Sequence, residues 1–220
     1  FSYLGNYWLY HYDDIKYPLL FYVMIQEKLI SKLNAKDLFD NKLLDNLTPG
    51  TFFTLQTIHK YLFNNVFDFA GNLRTVNIAK GNFLFAPLNY LKNTLQNIDK
   101  MPQSTYDEII EKYIEMNIAH PFREGNGRST RIWLDHILKE ELNKVINWTK
   151  IDKQSYLNAM IDSPIDDTKI KELLKASLTS DINNRDIYLR GIDQSYYFED
   201  LNECTLSTNG IAKRSQNDCH

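Results

Sequence analysis

The sequence predicts a mainly α-helical fold carrying one small β-hairpin, and three observations predict it. Apolar residues recur at helical spacing over most of the chain. The one stretch that breaks this period is short, rich in β-branched and aromatic residues, and centred on Gly81-Asn82. No internal repeat divides the 220 residues, a length that suits one domain able to bury its own core.

Taken in order, Leu19, Leu20, Tyr22, Val23, Ile25, Leu29, Ile30 and Leu33 mark a core helix from Pro18 to Leu33. Thr48-Pro49-Gly50 introduces a second, with Pro49 read as a helix-start proline and Phe52, Leu55, Ile58, His59, Leu62, Phe63 and Val66 as its inner side. Thr75 to Ile78 and Phe83 to Phe85, closed by Pro87, read as the hairpin and as the only strand pair. The next helix is expected over Asn89 to Asp99. Thr105 and Glu108 then make a capping box ahead of Ile109, Ile110, Tyr113, Ile114 and Ile118. That helix should end at His120, because a residue before proline is pushed out of helical geometry. Another begins near Gly127 with Ile132, Trp133, His136, Ile137 and Leu138 on one face. Helices over Lys153 to Ile161, Lys169 to Ser180 and about Asp186 to Leu201 complete the set. Beyond Cys204 the sequence is polar and aperiodic and reads as a mobile tail. The expected organisation is a body over residues 1–185, a terminal helix over 186–201 and a tail over 202–220.

With 28 acidic against 25 basic residues the net charge is -3, so nothing suggests a broad surface for nucleic acid or anionic membrane, and any nucleotide contact must be local. No stretch has the length of a membrane span, and Phe1-Ser2-Tyr3-Leu4 lacks the blocks of a signal peptide, so a cytoplasmic protein is expected. The chain opens without Met, which leaves its natural N-terminus open. Cys204 and Cys219 read as free thiols, no Cys/His spacing suggests zinc, and His59 and His136 read as core or helix-face histidines.

The chemistry concentrates in His120-Pro121-Phe122-Arg123-Glu124-Gly125-Asn126-Gly127-Arg128-Ser129-Thr130-Arg131. Gly-Asn-Gly at a helix start turns backbone N–H groups into a concavity that the helix dipole makes attractive to anions. Arg128 and Arg131, three apart on the next helix, project from nearly one face and suit neighbouring phosphate oxygens. Glu124 beside such a site makes sense if a Mg²⁺ stands between it and the phosphates. His120 is the nearby group able to take a proton near neutral pH. Singly, each feature is more often a turn, a solvated face or a satisfied helix end; their joining in twelve contiguous residues is what points to a metal–nucleotide site.

This segment resembles the Fic signature at every defined position, and the resemblance implies a Fic-type helical bundle that transfers AMP from ATP. By that resemblance His120 is the base that deprotonates an incoming hydroxyl and Glu124 holds Mg²⁺. The amides around Gly125, Asn126 and Gly127, with the Asn126 side chain, bind phosphates, and Arg128 and Arg131 hold the β and γ groups. Residues 74–87 are similar to the family's flap, whose strand edge over Lys80, Gly81, Asn82, Phe83, Leu84 and Phe85 would pair with a target protein; a hairpin that merely covers a core is the alternative. Ser195 and Glu199, four apart on the last helix, resemble the inhibitory motif of the subclass whose inhibitory helix is C-terminal, so Glu199 is expected to pair with Arg131. Asp200 departs from that motif. The resemblance further implies a hydroxyl-bearing target (Tyr, Thr or Ser), such as a type II topoisomerase subunit, is compatible with self-modification at Tyr196 or Tyr197, and leaves a homo-oligomer open. Removal of AMP from a modified protein, transfer of another nucleotide or of phosphocholine, and a non-catalytic helical interaction module remain alternatives.

Overall fold

A computed structural model of the chain describes residues 17–80, 83–199, 204–207 and 210–213. Its helices, in chain order, are α1 (Tyr17–Asp40), α2 (Phe52–Phe63), α3 (Leu88–Asp99), α4 (Tyr106–Ala119), α5 (Asn126–Leu142), α6 (Lys153–Asp162), α7 (Thr168–Ala176) and α8 (Arg185–Phe198). α5 is the axis: α2, α4 and α8 pack on it, α1 lies across α2 and α8, α3 closes over α4, and α6 pairs with α7. Where the sequence suggests one apolar face, α5 is buried on all sides from Arg128 to Leu134 and from His136 to Leu138. Two of its polar residues meet that environment within the helix: Ser129 Oγ donates to the Gly125 carbonyl (2.9 Å) and Thr130 Oγ1 to that of Asn126 (2.8 Å).

Several boundaries differ from the sequence reading for local reasons. α1 runs on to Asp40 because Ala35 and Leu38 continue the buried stripe. α2 starts at Phe52 and not at Pro49: Thr51 is its N-cap, accepting from the Thr54 N–H at 3.2 Å. The Thr105–Glu108 capping box of α4 is present. The flap strands are only β1 (Ala79–Lys80) and β2 (Phe83–Leu84), antiparallel with Ala79 opposite Leu84. The run Thr75 to Ile78 is not a strand. The expectation of a single strand pair is also corrected: β3 (Val145–Ile146) pairs with β4 (Leu178–Thr179), and β5 (Cys204–Ser207) with β6 (Gly210–Lys213), all antiparallel. The segment read as a mobile tail therefore contains a hairpin. The two-residue strands are too short to show the alternation by which a strand is recognised.

α8 forms a fixed wall beside α5. Leu189, Ile192 and Phe198 are buried, each burial stabilising by roughly 1.5–3 kcal/mol. Gly191 brings the helix against the Trp148 indole, where a Cβ would lie 3.1 Å from its ring. On the α1 side, Lys32 Nζ pairs with Asp193 at 2.7 Å and the Tyr188 hydroxyl donates to the Ala35 carbonyl at 2.9 Å. These contacts fix the C-terminal end of α8, where Glu199 is the C-cap residue. Asp200 lies outside the described residues. Among the described residues no helix is long and apolar enough to cross a membrane.

Candidate active site at the head of α5

The turn from α4 to α5 is made by two residues with positive φ. His120 (φ 48°, ψ 62°) ends α4 with its N–H on the Met116 carbonyl, and Gly125 (φ 77°) opens α5. A Cβ at Gly125 would lie 2.4 Å from the Phe63 ring, so glycine is required there by space as well as by conformation. The turn is held from within. Asn126 Oδ1 accepts from the Phe122 N–H (2.9 Å) while its Nδ2 donates to the Phe122 carbonyl (2.8 Å). The Asn126 side chain, expected at the phosphates, is buried and engages the loop with both its oxygen and its nitrogen. Phe122 is buried as well and stacks on His59 with ring centroids 3.8 Å apart. Since His59 Nδ1 accepts from the Gly71 N–H (2.9 Å), its proton is on Nε2, which donates to the Glu124 carbonyl (2.8 Å). Burial lowers the His59 pKa to about 4, so this brace is a neutral ring.

The His120 ring faces the flap, stacked on Phe85 at 3.7 Å. Burial foremost, and the charges of Arg74 and Lys80, lower its pKa to about 4, against a hydrogen bond to the Asn117 backbone that acts the other way. A neutral imidazole at neutral pH is the form able to accept a proton.

Opposite His120, the arginines of α5 converge on one acid. Arg131 donates through Nε to Ser195 Oγ (2.7 Å) and through Nη2 to the Ser195 carbonyl (3.0 Å) and Glu199 Oε1 (2.8 Å). The second oxygen of Glu199 lies 2.9 Å from Arg128 Nε, near enough for an ion pair but out of line for a hydrogen bond. Glu199 thus bridges both arginines, where pairing with Arg131 alone was expected. Its carboxylate sits over the first turn of α5, since a Cβ on Gly127 would come within 2.5 Å of Oε1. Arg128, 2% exposed, also meets Glu27 of α1 (3.1 Å) and Glu124 (3.3 Å) and lies over the Phe63 and Tyr196 rings. Glu124 faces solvent, its side chain 56% exposed, and accepts from the Gly125 N–H at 3.1 Å.

The flap residues are less tightly gathered. Lys80 is exposed, Leu84 is 61% exposed and Phe83 is half-buried edge-on to Phe85; Gly81 and Asn82 lie outside the described residues. Arg74 ties the flap's root to the loop, donating to the carbonyls of His120 (2.8 Å), Val76 (2.8 Å), Ala119 (3.3 Å) and Ala86. Tyr196 cannot serve as an acceptor in this arrangement, contrary to the sequence expectation: it is 1% exposed, with its hydroxyl on Ser31 (2.5 Å). Tyr197 is exposed.

Residues 50–138, which hold the second helix, the flap and the whole signature loop, match the Fic/DOC family. Over this stretch the chain matches a Fic domain. Over 155 residues, 64% of this chain, it is 30% identical to the protein adenylyltransferase VbhT of Bartonella schoenbuchensis, of which it spans only 32%. Over 138 residues, 58% of this chain and 68% of the relative, it is 26% identical to the "Probable protein adenylyltransferase Fic" of Escherichia coli K12. The N-terminal Fic domain of a Bartonella quintana VirB-translocated Bep effector, solved with bound ADP, superposes with a TM-score of 0.61 at 20% identity, covering 80% of this chain and 93% of that one.

Three residues of this site escape a reading of the signature alone. His59 reaches the loop from α2, Arg74 from the segment before the flap, and Glu27 from α1. His59 stands among apolar residues, which signals burial but not what it braces; Arg74 opens the stretch that resembles the flap, which does not say what it binds, and for Glu27 the sequence offers no local signal.

Proposed function

We propose that this Fic domain is an autoinhibited protein adenylyltransferase, moving AMP from ATP to a Tyr, Thr or Ser hydroxyl of a target protein with release of pyrophosphate. The observation that carries this reading is the Glu199 carboxylate bridging Arg128 and Arg131 over Gly127, at a helix head built to receive an anion. The names of the relatives and the ADP of the quintana domain support a nucleotide there.

His120, neutral and facing the flap, takes the proton of the target hydroxyl. The hydroxyl oxygen then bonds to the α-phosphorus while the bond from that phosphorus to the bridging oxygen breaks, and pyrophosphate departs with that electron pair. The α5 amides and both guanidinium groups stabilise the charge that develops on the leaving phosphates. Glu124 suits Mg²⁺: it is solvent-facing at the loop rim, and no described group of three or more acids, His or Cys competes for a metal, in keeping with an ion held by one carboxylate and substrate phosphates. When bound, Mg²⁺ would neutralise phosphate charge. Glu199 opposes all of this by placing negative charge over the first turn of α5 and engaging both arginines. The target is read as a protein docked along the flap edge, with a type II topoisomerase subunit as the class to try first.

The test incubates wild type, Glu199→Gly and Glu199→Gly with His120→Ala with Mg²⁺, ATP labelled on the α-phosphate, and a bacterial lysate. Strong labelling of a protein band by the single variant alone is expected. Silence from all three while ATP still binds would mean another donor, or no transfer.

A further inference from the structure

We infer that Glu27, on α1 and outside the signature, is a positioning residue that aims Arg128 at the nucleotide phosphates. This rests on the reading of Arg128 as a phosphate ligand. Three nitrogens of the Arg128 guanidinium meet three different carboxylates: Nη1 meets Glu27 (3.1 Å), Nη2 meets Glu124 (3.3 Å) and Nε meets Glu199 (2.9 Å). The Nε–Nη2 edge is the one that can grip an oxyanion side-on, and Nη1 lies outside it. Glu27 therefore holds the far nitrogen and leaves the gripping edge turned toward the space that the Glu199 carboxylate fills.

The quality of the contacts points the same way. Nε is a fully buried donor without an aligned hydrogen-bond partner, although Glu199 is close. A buried N–H left in that state is costly, and an incoming phosphate oxygen would satisfy it. The bond that Nη1 donates to Glu27 is in contrast a formed hydrogen bond, and the helix carrying Glu27 is tied down one turn on: Ser31 donates back to the Glu27 carbonyl (2.7 Å) and receives the Tyr196 hydroxyl, and Lys32 pairs with Asp193. When Glu199 is removed, Arg131 loses its acidic partner, whereas Arg128 keeps Glu27. On the proposed reading Glu124 is committed to Mg²⁺ once the nucleotide is bound. Glu27 is what keeps a 2%-exposed guanidinium compensated and aimed in the released enzyme.

The experiment measures affinity for AMP and for a non-hydrolysable ATP analogue, both with Mg²⁺, in the full chain carrying Glu199→Gly and then Glu199→Gly with Glu27→Gln. Affinity for the analogue should fall about tenfold, as expected for loss of a group that orients a ligand, while AMP affinity stays within about twofold. In transfer assays the same change should raise KM for ATP with kcat nearly unaltered. A faster transfer by the double variant would make Glu27 a second brake, and an equal loss of AMP and analogue affinity would make it a plain fold contact; either result overturns the inference. If Glu27→Gln does not fold, Glu27→Asp, which keeps the charge and shortens the reach, is measured in its place, with a smaller loss confined to the analogue expected. Failure of the two readings is distinguishable. Absence of any nucleotide binding by the Glu199→Gly parent refutes the nucleotide site and this inference together, whereas analogue binding that depends on Glu27 without any label transfer leaves Glu27 in place and refutes only the transfer.

Discussion

The signature loop and the flap flank the same histidine, yet they are built in opposite ways. The loop between His120 and Asn126 is over-determined: a side-chain amide closes both ends of the Phe122 peptide, a neutral imidazole holds the Glu124 carbonyl, and a glycine fits where a Cβ would strike Phe63. The flap has two-residue strands with outward-facing Lys80 and Leu84, and is tied at its root, by the Arg74 guanidinium and by the Arg74 and Ala86 N–H groups on the Pro121 and Ile118 carbonyls. On the proposed reading, the groups that would do chemistry are fixed and the surface that would meet a partner is left adaptable, as expected where one substrate is constant and the other is an extended segment. The contrast can be broken residue by residue.

The largest effect is expected from the loop. Asn126→Ala leaves the N–H and carbonyl of Phe122 buried and unpaired, at about 1–3 kcal/mol for each group. In the Glu199→Gly background, label transfer should fall by about a hundredfold or more, because His120 and the α5 amides lose their common frame. ATP affinity should fall with it. Thermal melts and a labelling time course check this; transfer within about tenfold of the parent would show that the loop's rigidity lies elsewhere.

Arg74→Ala should do less and do it selectively. The guanidinium is bound to carbonyls on both the loop and the flap side, at His120, Ala119, Val76 and Ala86, so its loss lets the flap drift from His120. Transfer to the target should drop about tenfold, as for a displaced positioning group, while affinity for an ATP analogue is kept, since the contacts that frame the α5 head are left intact. Equal loss of both would merge flap and loop into one unit and end the contrast between them.

Acid should separate them again. His59 and His120 both have pKa values lowered to about 4, chiefly by burial. A depressed folded pKa means that the unfolded chain binds the proton first. Stability is then whole above the unfolded value near 6.5 and is lost as pH falls through the folded value, by roughly 3 kcal/mol for the fully buried His59. Chemical denaturation at pH 7 and pH 5 should register the part of this loss that falls between those values, roughly 2 kcal/mol, and His59→Gln should reduce its pH dependence. Because His120 stays neutral over the same interval, the transfer rate of Glu199→Gly should hold nearly level from pH 7 to about pH 5, below the range where an unperturbed histidine would lose its base. A rate that halves near pH 6.5 would place His120 in water.

The same contrast explains how much the sequence makes legible. The loop is legible because its requirements are contiguous: a helix stop before Pro121, a nest, an acid and two arginines in one run. The Ser195–Glu199 spacing is legible for a similar reason, being one helical turn, although the bridge to Arg128 is not, because it depends on how α8 lies across α5. His59, Arg74 and Glu27 come from elements far away in the chain, and periodicity registers them only as a core histidine and ordinary charges. The Tyr196 hydroxyl is misread from sequence because its neighbour on α8 is solvent-facing and the residues do not say which side α1 covers. Short strands such as β3 and β4 leave no pattern at all, since two residues cannot alternate.

The smallest effect is expected at the flap's exposed edge. Leu84 projects into solvent, so Leu84→Ser should change folding by no more than about 0.5 kcal/mol and leave nucleotide affinity unaltered. If the edge recruits its partner by strand addition, most of the attachment comes from main-chain hydrogen bonds, and a side chain on one strand adjusts only the fit of alternate positions. The change should then raise KM for the target protein a few-fold with kcat unchanged, a small shift that a rigid loop residue could not produce. If kcat falls instead, Leu84 is holding Phe85 against His120, and the adaptable half of the site would reach one residue less far than its exposure suggests.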